Sequence, residues 1–222
     1  MKIALVYTGI TPELQADVER EASAQIPGAQ FITFKDPTII QEAVKAGYVT
    51  KGAAARLVKM FMEANEQSAD AILNICSSVG FVADACQDLA KFTGVPIVRI
   101  DEEMCREAVR LGSRIGVMAT LPTTLNPTKG TVLRVAQEMD RRVTLVDALV
   151  EGGFGLDHDK FKELMLSYAK KIEDKVDVIL FAQGSMAYAE KFIAEATGKK
   201  VLSSPRFGAI ALRRALEMKG LV

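Results

Sequence analysis

The sequence predicts an α/β protein made of two pseudo-symmetric halves, each with a four-stranded parallel sheet covered by helices on both faces. Three observations predict it. Short β-branched, near-continuously apolar runs alternate along the chain with longer stretches of helical spacing, the pattern of buried parallel strands joined by helices. Motifs of the first half return in the same order in the second. The chain of 222 residues, 49% hydrophobic and 25% charged, can bury substantial cores without a disulfide or metal staple.

The strands are expected at Lys2–Tyr7, Gln30–Phe34, Ala71–Ile75, Pro96–Ile100, Arg114–Ala119, Arg142–Val146, Val176–Ala182 and Lys200–Leu202. Helical spacing fills Glu13–Gln25, Gly52–Glu66, Val82–Phe92, Glu102–Leu111, Thr131–Met139, Lys160–Ile172, Ala187–Ala196 and Phe207–Glu217. Ile26-Pro27-Gly28 and Thr93-Gly94-Val95-Pro96 stand where helices should stop and strands begin.

The duplication is read from three matches. Lys2 to Thr8 aligns with Arg114 to Thr120 at a shift of 112 residues, Asp70-Ala71-Ile72-Leu73 with Asp177-Val178-Ile179-Leu180 at 107, and Thr93-Gly94 with Thr197-Gly198 at 104. The halves meet near residues 100–113.

Composition narrows the function. With 28 basic and 28 acidic residues the net charge is zero, which leaves no basic footprint for nucleic acid or an anionic membrane surface. Three cysteines with no Cys-x-x-Cys, and a single histidine, give no metal site and fit a reduced compartment, so a cytoplasmic location is expected. The segment MKIALVYTG carries one lysine and an apolar run too short for a signal peptide. No nucleotide-binding glycine loop and no lysine suited to pyridoxal phosphate stand out, so no cofactor is expected.

In open α/β sheets ligands collect at the carboxyl ends of strands, beside helix N-termini. Four such ends are expected around one cleft: Thr8 to Thr11 and Asn74 to Gly80 from the first half, Thr120 to Thr124 and Gln183 to Met186 from the second. Their hydroxyls, amides and backbone N–H groups suit a carboxylate or small oxyanion. Cys76 brings the chemistry. It ends a buried strand and is followed by Ser77, Ser78 and Gly80, where helix dipole and N–H donors should lower its pKa toward thiolate. Cys86 and Cys105 fall at packing positions of helices and read as structural.

These motifs carry a resemblance. DAILNICSSVG resembles the first cysteine motif of the cofactor-independent aspartate/glutamate/hydantoin racemase superfamily; GVMATLPTTLNPT resembles its second-half threonine motif, and VDVILFAQGSMA the segment holding its second cysteine. SSPRFGAIALRRAL resembles the crossover by which the last helix returns to the first domain. The resemblance spans nearly the whole chain. It implies two flavodoxin-like domains, residues 1–100 with 204–222 and residues 101–203, and an active site in the cleft between them. It also implies a homodimer acting on a small carboxylate substrate, and a two-base mechanism in which one cysteine removes the proton α to the carboxylate while another protonates the opposite face. On this pattern Cys76 matches the first base. Asn74, Ser77, Ser78 and Val79 match carboxylate- and ammonium-binding positions, Thr120, Thr123 and Thr124 match second-half donors, and Thr8 matches the end of the first strand. Gln183, Gly184, Ser185 and Met186 occupy the second motif.

Here the sequence departs from the family. Gln183 stands six residues after Asp177, as Cys76 stands six after Asp70, so the second cysteine is replaced by an amide with no accessible pKa near neutrality. Four readings stay open: racemisation with a tyrosine or water as second acid; one-base chemistry resembling malonate decarboxylases; nucleophilic attack resembling maleate isomerases; and a carboxylate-binding protein without turnover. Weaker signals are read as structural. His158 is expected in a solvated first helical turn, Tyr48 in a packed loop, Asp101-Glu102-Glu103 at a helix start, and Gly152 to Gly155 in a loop without phosphate-binding context.

Overall fold

The computed structural model describes residues 1–153 and 156–222; Phe154 and Gly155 of the glycine-rich run lie outside the described residues. The chain forms two compact units, residues 1–100 with 205–222, and residues 101–204.

In the first unit, β1 (Lys2–Tyr7), β2 (Gln30–Lys35), β3 (Ala71–Ile75) and β4 (Ile97–Arg99) form a sheet in the order β2-β1-β3-β4. Every pairing is parallel. β1 and β3 are apolar along almost their whole length because both faces of the sheet are covered. Side chains alternate between faces. Ala4, Val6 and Ile72 pack with Leu57, Phe61 and Ala64 of α3 (Lys51–Glu66). Ile3, Leu5, Leu73 and Ile75 pack with Leu14 and Val18 of α1 (Pro12–Gln25) and with Leu212 and Leu216 of α10 (Ser204–Met218). Gly208 lets α10 approach this closely: a Cβ there would lie 2.9 Å from Ile100 Cα and 3.1 Å from its carbonyl oxygen.

In the second unit, β5 (Arg114–Ala119), β6 (Thr144–Leu149), β7 (Val178–Phe181) and β8 (Lys200–Leu202) repeat the pattern, in the order β6-β5-β7-β8 and all parallel. Met118, Ile179 and Phe181 pack with Met165, Ala169 and Ile172 of α8 (His158–Ile172).

The matched residues explain themselves locally. Asp70 Oδ2 accepts from the backbone N–H of Lys2 at 2.8 Å. Asp177 Oδ2 accepts from the N–H groups of Ser113 and Arg114 at 3.0 and 2.9 Å, and its other oxygen takes the Arg114 guanidinium. Each aspartate therefore joins the starting ends of two neighbouring parallel strands. Gly94 and Gly198, at φ of 72° and 67°, close α5 (Gln87–Thr93) and α9 (Glu190–Thr197) in the left-handed conformation that glycine adopts without steric cost.

The structure corrects several boundaries. An unexpected helix, α2 (Pro37–Ala46), is capped by Asp36, whose carboxylate accepts from the Thr38 N–H at 2.9 Å. The stretch expected as one helix over 82–92 is broken at Cys86 into α4 (Gly80–Ala85) and α5. α7 (Pro122–Glu138) begins nine residues earlier than expected and contains Pro127. β6 begins two residues and ends three residues later than expected, in an edge strand of which only Ala148 is buried. α6 (Glu102–Leu111) has the expected bounds.

Candidate functional site

At the carboxyl end of the first sheet, β1 delivers Thr8 and β3 delivers Asn74 and Cys76. The chain leaves β3 through Cys76 in extended conformation, makes a tight turn over Ser77–Val79 and enters α4 at Gly80. Thr8, Asn74, Ser77, Ser78 and Val79 are all buried, and Cys76 is partly exposed. Asn74 Nδ2 donates to the Cys76 carbonyl at 3.2 Å, pinning the turn to its own strand. Burial pushes the Cys76 thiol up, outweighing the Thr8 hydroxyl, the N–H groups of Val79 and Ser78 and the Ser78 hydroxyl, all of which favour the thiolate. The expected donors are present, but the expected low pKa is corrected: at neutral pH Cys76 rests as a thiol.

Two polar atoms here are buried without a hydrogen-bond partner of acceptable geometry, Thr8 Oγ1 and Asn74 Oδ1. Thr8 lies close enough to the sulfur to influence it and has no better partner. Buried polar groups are rarely left so. With the single Thr8 O–H directed at the sulfur, the Asn74 amide oxygen is the acceptor left without a partner beside the thiol.

The corresponding end of the second sheet is wired differently. Gln183 Nε2 donates to Thr120 Oγ1 at 2.7 Å, and the Thr120 N–H donates to Gln183 Oε1 at 2.8 Å. The mirrored positions of Thr8 and Cys76 are therefore also in contact, but as a closed amide–threonine ring. Thr123 Oγ1, in the first turn of α7, is buried and unpartnered, and Pro127 supplies no N–H to the Thr123 carbonyl. Thr124 is buried and its N–H donates to the Leu121 carbonyl at 3.0 Å. After Gln183 the chain forms a 3₁₀ helix over Gly184–Ala189. Gly184 is partly exposed and Ser185 is exposed. Met186 has its side chain in the core, 1% exposed, and its N–H donates to the Gln183 carbonyl. Val79 too has its side chain in the core, leaving its backbone as the part that faces chemistry.

Tyr48, expected to pack, is 66% exposed. His158 opens α8 and stacks on Tyr188, ring centroids 4.4 Å apart. Tyr188 escaped the sequence reading. Its hydroxyl is buried without a partner, and its place five residues after Gln183 is the signal that could have found it. Arg99, at the end of β4, was also missed. Its side chain is 2% exposed and its Nη1 lies 2.6 Å from Asp84 Oδ2. Among the described residues no group of three or more His, Cys, Asp or Glu side chains could hold a metal ion, and no helix is long and apolar enough to cross a membrane.

A family model described as Asp/Glu/Hydantoin racemase matches residues 10–212. The chain belongs to the Asp/Glu/hydantoin racemase family. Solved structures show where this racemase-family fold recurs. Glutamate racemase RacE1 from Bacillus anthracis superposes with a TM-score of 0.72 at 18% identity, over 99% of this chain and 82% of that one. Allantoin racemase from Klebsiella pneumoniae gives 0.68 at 18% identity, over 100% and 89%. An arylmalonate decarboxylase gives 0.57 at 17% identity, over 96% and 92%. No curated protein sequence matches the chain. At these identities the racemase-family protein shares with its neighbours a fold.

Proposed function

We propose that this protein is a cofactor-independent enzyme that transfers a proton at the carbon α to the carboxylate of a small acid, with Cys76 as its one thiol acid/base and with one face of that carbon served. The observation that carries the reading is the mismatch of the mirrored pairs: Thr8 beside a thiol in one unit, Thr120 closed onto the Gln183 amide in the other.

The chemistry follows from the groups. A thiol held above its usual pKa is a proton donor at neutral pH. When an enediolate forms at the α carbon, its electron pair takes the Cys76 proton, a C–H bond forms and the S–H bond breaks, leaving a thiolate that Ser78, Val79 and Thr8 stabilise. In reverse Cys76 first gives its own proton to solvent, and the thiolate then removes the α proton while the electron pair passes into the carboxylate. Thr8 and Asn74, each with an unpartnered buried oxygen, are the groups beside the thiol with bonding capacity for the substrate. Gln183, the counterpart of Cys76 in the repeat, is an amide that cannot serve as a second proton donor, so exchange without inversion, or proton delivery after loss of carbon dioxide from a malonate, is favoured over racemisation. The fold likeness to an arylmalonate decarboxylase makes malonates a rational part of the substrate panel.

The test is proton NMR in deuterated buffer with both enantiomers of aspartate and glutamate, a substituted hydantoin, phenylmalonate and maleate, with Cys76→Ala as control. The expected result is Cys76-dependent loss of an α-proton signal from one enantiomer, or a deuterated decarboxylation product. Conversion to the mirror enantiomer would overturn the one-face reading. Saturable binding of these acids with no signal change in any of them would replace the enzyme reading with a carboxylate-binding one.

A further inference from the structure

We infer that Arg99 is a positioning residue for Cys76: its guanidinium, clamped on the first turns of α4, fixes the Ser77–Gly80 turn so that the Ser78 and Val79 N–H groups face the sulfur. The inference rests on the reading of Cys76 as the reacting thiol.

Arg99 ends β4 and pairs in register with Asn74 of β3, so it sits one strand away from the segment that leads to Cys76. An arginine buried this deeply is costly unless it is held. Three residues of α4 hold it. Asp84 receives Nη1 at 2.6 Å. Phe81 presents its ring 5.9 Å from Cζ, within the range of a cation–π contact. Gly80 lies directly beneath the guanidinium: a Cβ at this position would overlap Nη2, Cζ and Nε at once. Gly80 has an ordinary helical conformation, φ −56° and ψ −32°, so its backbone does not call for glycine. The flat face of Arg99 does. Because the planar group rests on the Cα of Gly80 and reaches Asp84 one turn on, it locates α4 in both height and rotation against β4.

The turn carrying the sulfur's donors is then fixed at both ends. At its start, Asn74 Nδ2 holds the Cys76 carbonyl; at its finish, Arg99 holds Gly80. Ser78 and Val79 lie between these anchors, and their N–H groups favour the Cys76 thiolate. Neither anchor needs to touch the sulfur. A shift of the turn by a few tenths of an ångström is enough to misalign N–H donors, whose bonds weaken steeply with angle.

The experiment follows the rate of Cys76 carboxymethylation by iodoacetamide against pH, by peptide mass spectrometry, in wild type, Gly80→Ala, Arg99→Lys and Asp84→Asn. Thermal melts report the fold, and N-acetylcysteine added to the same reaction is the internal standard. Misaligned donors leave the thiol harder to ionise, so each variant is expected to alkylate at Cys76 roughly three- to tenfold more slowly near neutral pH, its profile displaced to higher pH, while the standard is unchanged. Arg99→Lys separates brace from charge: it keeps the cation but not the plane, and is expected to behave like Gly80→Ala. Asp84→Asn, at a side chain 31% exposed, is the variant least demanding of the fold and carries the test if the others do not fold. Wild-type profiles in every folded variant would overturn the inference. Since the measurement reads the thiol and not turnover, a silent substrate panel would remove the proposed function and leave this result intact.

Discussion

Gln183 and Thr120 form a reciprocal pair: the amide nitrogen donates to the threonine hydroxyl oxygen at 2.7 Å, and the threonine N–H donates to the amide oxygen at 2.8 Å. The Gln183 side chain is committed to fixing the end of β5, at the position where sequence symmetry with Cys76 would have placed a second thiol. In the arrangement that the family resemblance implies, Gln183→Cys returns an ionisable group to the missing side. The expected outcome is the appearance of the mirror enantiomer from an amino acid that wild type only exchanges, followed by chiral chromatography. Two hydrogen bonds are lost in this variant, each worth about 1 kcal/mol, so a lower Tm should accompany the gain.

The raised Cys76 thiol makes a pH prediction whose sign can be worked out. A thiol whose pKa is higher in the folded than in the unfolded chain contributes stability that is complete below the unfolded value. That stability is lost as pH rises from the unfolded thiol pKa, near 8.5 as an order of magnitude, through the higher folded one. Denaturant titrations between neutral and alkaline pH should show wild type losing stability faster than Cys76→Ala. Equal slopes would contradict the burial assigned to the thiol.

Asp177 predicts the opposite dependence. The Arg114 guanidinium first, and then the backbone N–H groups of Arg114 and Ser113, hold its carboxyl down at about 2. Its contribution is complete above the unfolded carboxyl pKa and is lost as pH falls from there through the folded value of about 2. Asp177→Asn should flatten the acid limb of a stability-against-pH curve, read by denaturant titration.

Gly208→Ala tests the packing of α10 on β4. The added methyl would meet Ile100 backbone atoms at 2.9 and 3.1 Å, which cannot swing away as a flexible side chain can. A loss of about 1–3 kcal/mol in unfolding free energy is expected, read by chemical denaturation. A neutral result would show that the helix shifts freely.

The fold was legible where burial is symmetric. β1, β3 and β5 have the bounds read from the sequence, because both faces of each are covered and their residues after the first are almost all apolar; β8, an edge strand, has them through its short buried run Val201-Leu202. β6 was misplaced because it is an edge strand with Asp147 in its middle, so no continuous run marks it. α2 is ten residues long and was overlooked, although Asp36 before it, Pro37 at its first position and Gly47 after it are start and stop signals. Pro127 hid the first half of α7, where tertiary packing of Leu125 and Thr128 retains a proline that local rules would exclude. At the site, the Asp70 and Asp177 registers placed Cys76 and Gln183 at corresponding ends. The charge state of Cys76 was not readable, since donors are visible in a motif and desolvation is not. Arg99 was not readable either: Gly80, Phe81 and Asp84 stand fifteen and more residues earlier, on an element whose distance only the fold sets.

The two aspartates that staple strand starts have a consequence for how such a chain can change. Within each unit, Asp70 or Asp177 secures pairing at one end of the sheet, and the residue six places later lies at the other end. Instructions for assembly and instructions for reactivity are thereby written at opposite ends of the same strand. A duplicated unit can exchange a thiol for an amide at its working end while the stitching at its far end stays as it was. Divergence of activity within one architecture then needs no compensating redesign of the scaffold.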